Sequence, residues 1–385
     1  MDKINKIIYA DHSATTYVKD EVLREMLPYF CDFYGNPSST YIIGRNSKRA
    51  IEIARKKVAD AIGADTDEIY FTSCGTESDN MIIKQIARKN KYRGNHIITS
   101  KFEHLAVINS CKDLEKEGFE VTYLDVDSNG FVKIDNLLNS IKDTTILISI
   151  MYANNEIGTI QDINTIGNVA RMNNIYFHTD AVQAIGNVKI DVKAQNIDAL
   201  SMSAHKFYGP KGIGAAYINK KINFDSFMSG GHQEKNKRAG TENVANIVGI
   251  GKAIELSNKN VYEYNRKLLN LRNLFICKLT EKVPCIRING SLENRLPGNV
   301  NINIQGIDSQ VLLLMLDMNG ICASGGSACN SNEKTPSHVL TSIGLNTFEA
   351  QNAIRFTFGE ENNEQDVIYI VDTLCDIVKK IRMCC

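Results

Sequence analysis

The chain has 385 residues, enough for two domains or for one large domain with a smaller one appended. Apolar residues make up 43% and charged residues 23%, ordinary proportions for a soluble globular protein. Lysine plus arginine equals aspartate plus glutamate at 44 each, so no net field argues for nucleic acid or an anionic membrane as partner.

The opening stretch, "MDKINKIIYADHSATT", has a short apolar run and no h-region, so no secretory signal is expected. From about residue 66, β-rich runs alternate with helical patterns. "EIYFTS" (68–73), "HIITS" (96–100), "EVTYLDV" (120–126), "TILISIM" (145–151), "IYFHTD" (175–180), "DALSMSA" (198–204) and "GAAYI" (214–218) read as strands. Helix-like stretches such as "SDNMIIKQIARKNK" and "TIGNVARMNN" lie between several of them. Apolar strands in such alternation predict an α/β fold with a mainly parallel seven-stranded sheet covered by helices on both faces. A long helix is expected near 261–280, with Leu268, Leu271, Phe275 and Leu279 on one face. Then the pattern changes. "NVNINI" (299–304) and "AIRFTFG" (353–359) alternate strictly, and a final helix carries Val367, Ile370, Val371, Leu374, Ile377, Val378 and Ile381. The expected division is a segment 1–20 packing with the small domain, a large α/β domain 21–260, and a small α+β domain 261–385. The longest apolar run, "VLLLML" at 311–316, is far short of the roughly 18 residues a membrane span needs. Ten cysteines are scattered without a C-x-x-C pair, which favours reduced thiols in a cytosol over a disulfide framework or a zinc site.

Sheets of this kind bind ligands beyond the carboxyl ends of their strands, so the residue after each strand should name the site. After "EIYFTS" come Cys74, Gly75 and Thr76, opening a helix. A glycine, a hydroxyl and bare N–H groups there make a phosphate seat, although an ordinary capped helix looks the same. Later strand ends supply His104, then Asn154 and Asn155, then Asp180 and Gln183, then His205 and Lys206 ahead of a Gly-Pro-Lys-Gly turn. Singly each is weak. Together they place a phosphate seat, a ring-stacking imidazole, amide donors, a carboxylate and an amine along one edge. That inventory suits pyridoxal phosphate: the amine forms a Schiff base and the carboxylate keeps the pyridine nitrogen protonated. Neither G-x-G-x-x-G after an early strand nor G-x-x-x-x-G-K-[ST] is present.

The second half offers what an amino-acid substrate needs. Arg355 alternates with Ile354 and Phe356, so it faces away from the apolar side. There it could clamp an α-carboxylate through both nitrogens; the competing reading is an edge-strand arginine in solvent. Cys329 stands in "CASGGSACNSNEKTPSHVL" (322–340), a small, polar, glycine-rich stretch that reads as a mobile loop. An exposed thiol there suits a nucleophile that visits a pocket and leaves it. Cys322 reads as structural.

These residues resemble the class V pyridoxal-phosphate enzymes, specifically cysteine desulfurases of the NifS/IscS kind. The resemblance runs nearly end to end and includes "DHSATT" (11–16), "TSCGTESDN" (72–80), "NNEIGTIQ" (154–161), "HTDAVQ" (178–183), "SAHKFYGPKGIGA" (203–215), "QEKNKRAGTENV" (233–244), "SGGSACNS" (324–331) and "IRFTFG" (354–359). It implies a fold-type I transferase with pyridoxal 5'-phosphate. Lys206 is similar to the Schiff-base lysine, His104 to the stacking histidine, also counted among the catalytic groups, and Asp180 to the pyridinium partner. Gln183 and Asn155 resemble the residues at the ring oxygen, Asn155 also meeting substrate. Gly75, Thr76, Ser203 and His205 resemble the phosphate contacts, and Thr241 one that reaches the phosphate of the other subunit of a homodimer. Arg355 resembles the substrate-carboxylate arginine. Cys329 resembles the persulfide carrier and is a candidate transient ligand of an iron–sulfur cluster; no resident metal is expected. Tyr41 and His232 depart from the family pattern, where a histidine and a glycine are usual.

The activity this implies is removal of sulfur from L-cysteine, giving L-alanine and a persulfide passed to an acceptor protein such as an iron–sulfur scaffold, or into thio-cofactor or tRNA thiolation. The implied location is cytoplasmic, with no direct nucleic-acid or membrane partner. Selenocysteine lyase, or another class V aminotransferase reaction, is the alternative on the same cofactor. A non-catalytic sulfur-trafficking protein is the alternative of a different class.

Overall fold

The computed structural model describes residues 7–325 and 336–384. Thirteen strands carry the argument. They are β1 (Ile8–Tyr9), β2 (Ile69–Thr72), β3 (His96–Ser100), β4 (Glu120–Leu124), β5 (Thr145–Ser149), β6 (Tyr176–Asp180) and β7 (Ala199–Ser203), followed by β8 (Gly214–Ile218), β9 (Ile286–Ile288), β10 (Asn299–Ile304), β11 (Ile321–Cys322), β12 (Ser324–Gly325) and β13 (Ala353–Thr357).

The large sheet has seven strands in the order β2-β8-β7-β6-β5-β3-β4. Strand β8 runs antiparallel to β2 and β7, and the other neighbours are parallel. Alternation along each strand feeds two cores. Phe71, Ile98, Ile148 and Leu200 pack with Val58, Ile166 and Ile247 on one face. Their neighbours Tyr70, Ile97, Leu147 and Ala199 pack with Ile82, Ile86, Val107 and Leu114 on the other. Burial on both faces is why these strands read as apolar throughout. Several are shorter than the sequence stretches, because their last residues leave the ladder and turn into the site.

The second, antiparallel sheet has the order β12-β13-β10-β9. Its core joins Phe275, Val300, Ile302, Phe356 and Leu374, drawn from the helices Val261–Lys282 and Glu364–Cys384 and the strands. The alternation of β10 suggests one solvated face, yet Asn299, Asn301 and Asn303 are buried as well. Asn299 and Asn301 donate to the Glu156 carbonyl, so this sheet's polar side faces the loop after β5 rather than water. Strand β13 is likewise interior, which removes the solvent-exposed reading of Arg355. The first residues join this half: β1 pairs with β11, Asp11 bridges to Thr357, and Ile8 and Ala10 enter its core.

No helix among the described residues is long and apolar enough to cross a membrane. Cys31, Cys74, Cys111, Cys277, Cys285, Cys322 and Cys375 are free of disulfides.

Candidate active site

The carboxyl ends of β2, β3, β5, β6 and β7 converge on a cavity of about 230 Å³. Gly75, Thr76, His104, Asn155, Asp180, Gln183, Ser203, His205, Lys206 and Arg355 all line it. Strand β8, running the other way, brings only its start, Gly214, near this edge. Thr241 is exposed and does not line the cavity. Cys329 lies outside the described residues. A larger groove of about 570 Å³ shares Lys206 but none of the other strand-end residues.

At one wall, the helix Gly75–Lys89 begins after Cys74, which provides no side-chain cap. Its first turn therefore presents backbone N–H groups to the cavity, a seat for an anion. Gly75 is required there, because a Cβ would meet Val182 Cγ2 at 2.5 Å. Glu77, in the same turn, accepts from Ser73 N–H and pairs with Arg238 at 2.8 Å. His205 Nδ1 sits 3.1 Å from Thr15 Oγ1. Burial, with Lys206 and Lys211 adding to it, pushes its imidazole down to about 4, so it is neutral at ordinary pH.

Lys206 reaches across the floor. Its Nζ donates to the carbonyls of Ser13 (2.5 Å) and Ala14 (2.8 Å), and Gln183 Nε2 donates to the same Ser13 carbonyl at 3.0 Å. The "DHSATT" stretch is thus a wall of the cavity, built by backbone oxygens. Asp180 ends β6 and accepts from Val182 N–H at 2.9 Å. Burial raises its carboxyl above the usual range, while His104, the Val182 N–H and Lys206 pull it back. His104 Nδ1 accepts from Ala106 N–H at 3.1 Å, which leaves Nε2 as the ring atom that can exchange a proton.

At the opposite wall Arg355 is 1% exposed. Its Nη2 donates to Asp11 Oδ1 at 2.8 Å and its Nη1 to the Asn155 carbonyl at 2.9 Å, while Nε is buried without a hydrogen-bond partner among the described residues. Asp11 is held in turn by Ser324 Oγ at 2.5 Å.

Sequence reasoning missed Asp11, Ser13, Ala14 and Asp79. Asp79 had a signal: it shares a helix face with the buried Ile82, Ile83 and Ile86, where a charge is out of place. The other three lie in "DHSATT", which the resemblance singled out as a stretch without roles for its residues, since the contacts that matter run to Lys206 and Arg355, 192 to 344 positions away.

Residues 8–370 match the family Aminotransferase class-V. The chain is 53% identical over 381 residues to a Clostridium botulinum (strain Hall) protein named Cysteine desulfurase IscS, covering 98% of this chain and 96% of that one. It is 54% identical over 378 residues to a Methanosarcina thermophila protein of the same name, covering 98% and 93%. Among solved structures, a NifS-like protein superposes with a TM-score of 0.92 at 36% identity, over 97% of this chain and 100% of that chain. A structure of SspA in complex with cysteine superposes at 0.78 and 37% identity, over 91% and 98%.

Proposed function

The chain belongs to the aminotransferase class-V family, and from that premise we propose that it is a cysteine desulfurase of the NifS/IscS kind. It removes sulfur from L-cysteine, releases L-alanine and carries the sulfur as a persulfide on Cys329. The observation that carries this reading is the convergence on one cavity of an amine (Lys206), a buried carboxylate (Asp180), an uncapped helix N-terminus (Gly75, Thr76) and a buried arginine whose Nε has no partner among the described residues (Arg355).

That donor set fits pyridoxal 5'-phosphate. The first turn at Gly75 and Thr76, with Ser203 and His205, would hold the phosphate. Asp180 would face the ring nitrogen, and Gln183 and Asn155 the ring oxygen. When bound, this cofactor supplies an electron sink that acidifies the substrate's Cα–H and loosens its Cβ–S bond. The chain's residues do the rest. Arg355, fixed by Asp11 and the Asn155 carbonyl, orients the substrate carboxylate. Lys206 would take the Cα proton, and His104 would hold an exchangeable proton at Nε2 beside the ring. The Cys329 thiolate attacks the substrate sulfur: a sulfur–sulfur bond forms, the Cβ–S bond breaks, and its electron pair stays with the carbon fragment that becomes alanine. An unperturbed thiol, at about 8.5, is mostly protonated at neutral pH, so its proton must be taken within the site.

We further read the protein as a cytoplasmic homodimer in which Thr241 reaches the partner's phosphate. The exposed Phe30, Phe33, Tyr34 and Ile42 support a covered apolar face. The natural division is 21–260 and 261–385; the helix break at Asn260 and the separate cores support it, while the segment before residue 20 is shared, Ile8 to Asp11 joining the small half and Ser13 to Lys19 bonding to the large one. The persulfide's destination is an acceptor protein of iron–sulfur assembly or thiolation.

Cys329→Ala tests the assignment. The variant should keep the visible absorbance of bound cofactor and its response to cysteine, while alanine release falls about a hundredfold or more. Undiminished alanine release would mean that another group carries the sulfur.

A further inference from the structure

Asp79 lies in the second turn of the helix Gly75–Lys89, 1% exposed, and lines the cavity. A buried carboxylate needs a cation or several hydrogen bonds. The groups that face it can be named element by element. Strand β6 presents His178, whose Nε2 is 3.6 Å from Asp79 Oδ1, and Asp180. Strand β7 presents Ser201, the turn after β3 presents Glu103 and His104, and Cys74 precedes its own helix. The ligand atoms of Asp79, His104 and Asp180 all lie within 4.8 Å of one another.

Counting protons decides the charge. The ring nitrogens of His178 contact Ser149 Oγ at 2.9 Å and Ser201 Oγ at 3.1 Å, and burial holds this imidazole at about 3, hence neutral with a single N–H. Ser201 has one proton for either His178 or Asp79. Among the described residues Asp79 Oδ1 has no hydrogen-bond partner. Arg355 is engaged with Asp11, and His104 and Lys206, the latter also bonded to the Ser13 and Ala14 carbonyls, favour the charge on Asp180. Two carboxylates this close in a buried wall do not both ionise.

We propose that Asp79 is a protonated carboxylic acid and acts as a positioning residue for Asp180, so that the pair carries one negative charge and that charge sits on Asp180. The proposal deepens the reading of Asp180 as the partner of the cofactor's ring nitrogen and rests on it. Burial and the Asp180 charge both push the Asp79 carboxyl well above the usual range, in the same sense as the geometry. The neutral acid then fills the wall without competing for the ring nitrogen.

Asparagine has nearly the shape of a protonated aspartate, so Asp79→Asn should mimic the native state, whereas Asp79→Ala opens a hole. In the cofactor-free chain at pH 7, infrared difference spectra should show a protonated carboxyl C=O band in wild type that Asp79→Asn lacks. After loading with pyridoxal phosphate, the pH midpoint of the visible band in Asp79→Asn should stay within about 0.3 unit of wild type. Cofactor affinity should stay within about threefold in Asp79→Asn and drop about tenfold or more in Asp79→Ala. An absent C=O band, or a midpoint moved by about one unit in Asp79→Asn as expected when an anion is deleted, overturns the proposal. The infrared band is read without cofactor, so its absence sinks the protonation of Asp79 alone. A wild-type chain that takes up no pyridoxal phosphate sinks the reading of the site.

Discussion

The two ends of the cavity handle buried charge in opposite ways. At the Arg355 end a guanidinium 1% exposed faces a carboxylate, Asp11, at 2.8 Å, a one-to-one pairing of opposite charges. At the Asp180 end three carboxyl groups, Asp79, Glu103 and Asp180, are buried together. Burial pushes Glu103 up to about 8. The first end is set by the fold; the second is set by protons and by what binds. A group that must orient one carboxylate benefits from fixity, and a group that must match a ring nitrogen benefits from an adjustable count of protons.

Breaking the fixed end should have the largest effect. Arg355→Ala leaves Asp11 without its cation and is expected to cost about 3–5 kcal/mol of stability in urea denaturation. In steady-state kinetics kcat/KM for cysteine should fall about a hundredfold or more, while Arg355→Lys, keeping charge but not the fork, should fall between. A variant as stable and as active as wild type would show that the pair contributes nothing.

The adjustable end should show in the pH dependence of the cofactor-free chain. His205 and His178, held at about 4 and about 3, stay neutral in the fold but take protons when unfolded below about 6.5. Unfolding then binds protons, so stability falls as pH drops below about 6.5. Glu103 does the reverse: folded, it keeps its proton up to about 8, while unfolded it loses it near 4.3, so stability falls as pH rises between those values. Thermal midpoints from pH 4 to 9 should therefore peak near about pH 6.5, where the two histidines' gain and the Glu103 loss cancel. A midpoint climbing steadily to pH 8 would contradict this.

The smallest effect isolates one group. Glu103 Oε1 accepts from Ser100 Oγ and Met151 N–H, while Oε2 has no hydrogen-bond partner among the described residues. Glu103→Gln should raise the thermal midpoint at pH 8 by about 2–4 °C and at pH 5 by roughly a quarter of that. An equal change at both pH values would mean that packing, not protonation, governs this position.

How much of this was legible in the sequence follows the same division. The adjustable end is built from strand ends, and strand ends are local: "HIITS" and "GAAYI" coincide with β3 and β8, and the residues following β3, β5, β6 and β7 delivered His104, Asn155, Asp180 and Lys206. Asp79 was readable in principle as a charge on an apolar helical face, but "TESDN" drew attention to the helix start instead. The fixed end is non-local. Arg355 was visible as an arginine in an alternating strand, yet whether β13 lay inside or at the edge of its sheet depended on pairing with β10 and β12. No spacing rule joins residue 11 to residue 355.

The pairing of β1 with β11 and of Asp11 with Thr357 also orders events in time. As the chain is made, the carbonyls of Ser13 and Ala14 that hold Lys206 emerge first, but the strands that lock them in place leave the ribosome more than three hundred residues later. Until the far end of the chain returns to close the wall, that stretch is tied to the large sheet by the contacts of Gln183, His205, Lys206 and Tyr208 with Ser13 and Thr16.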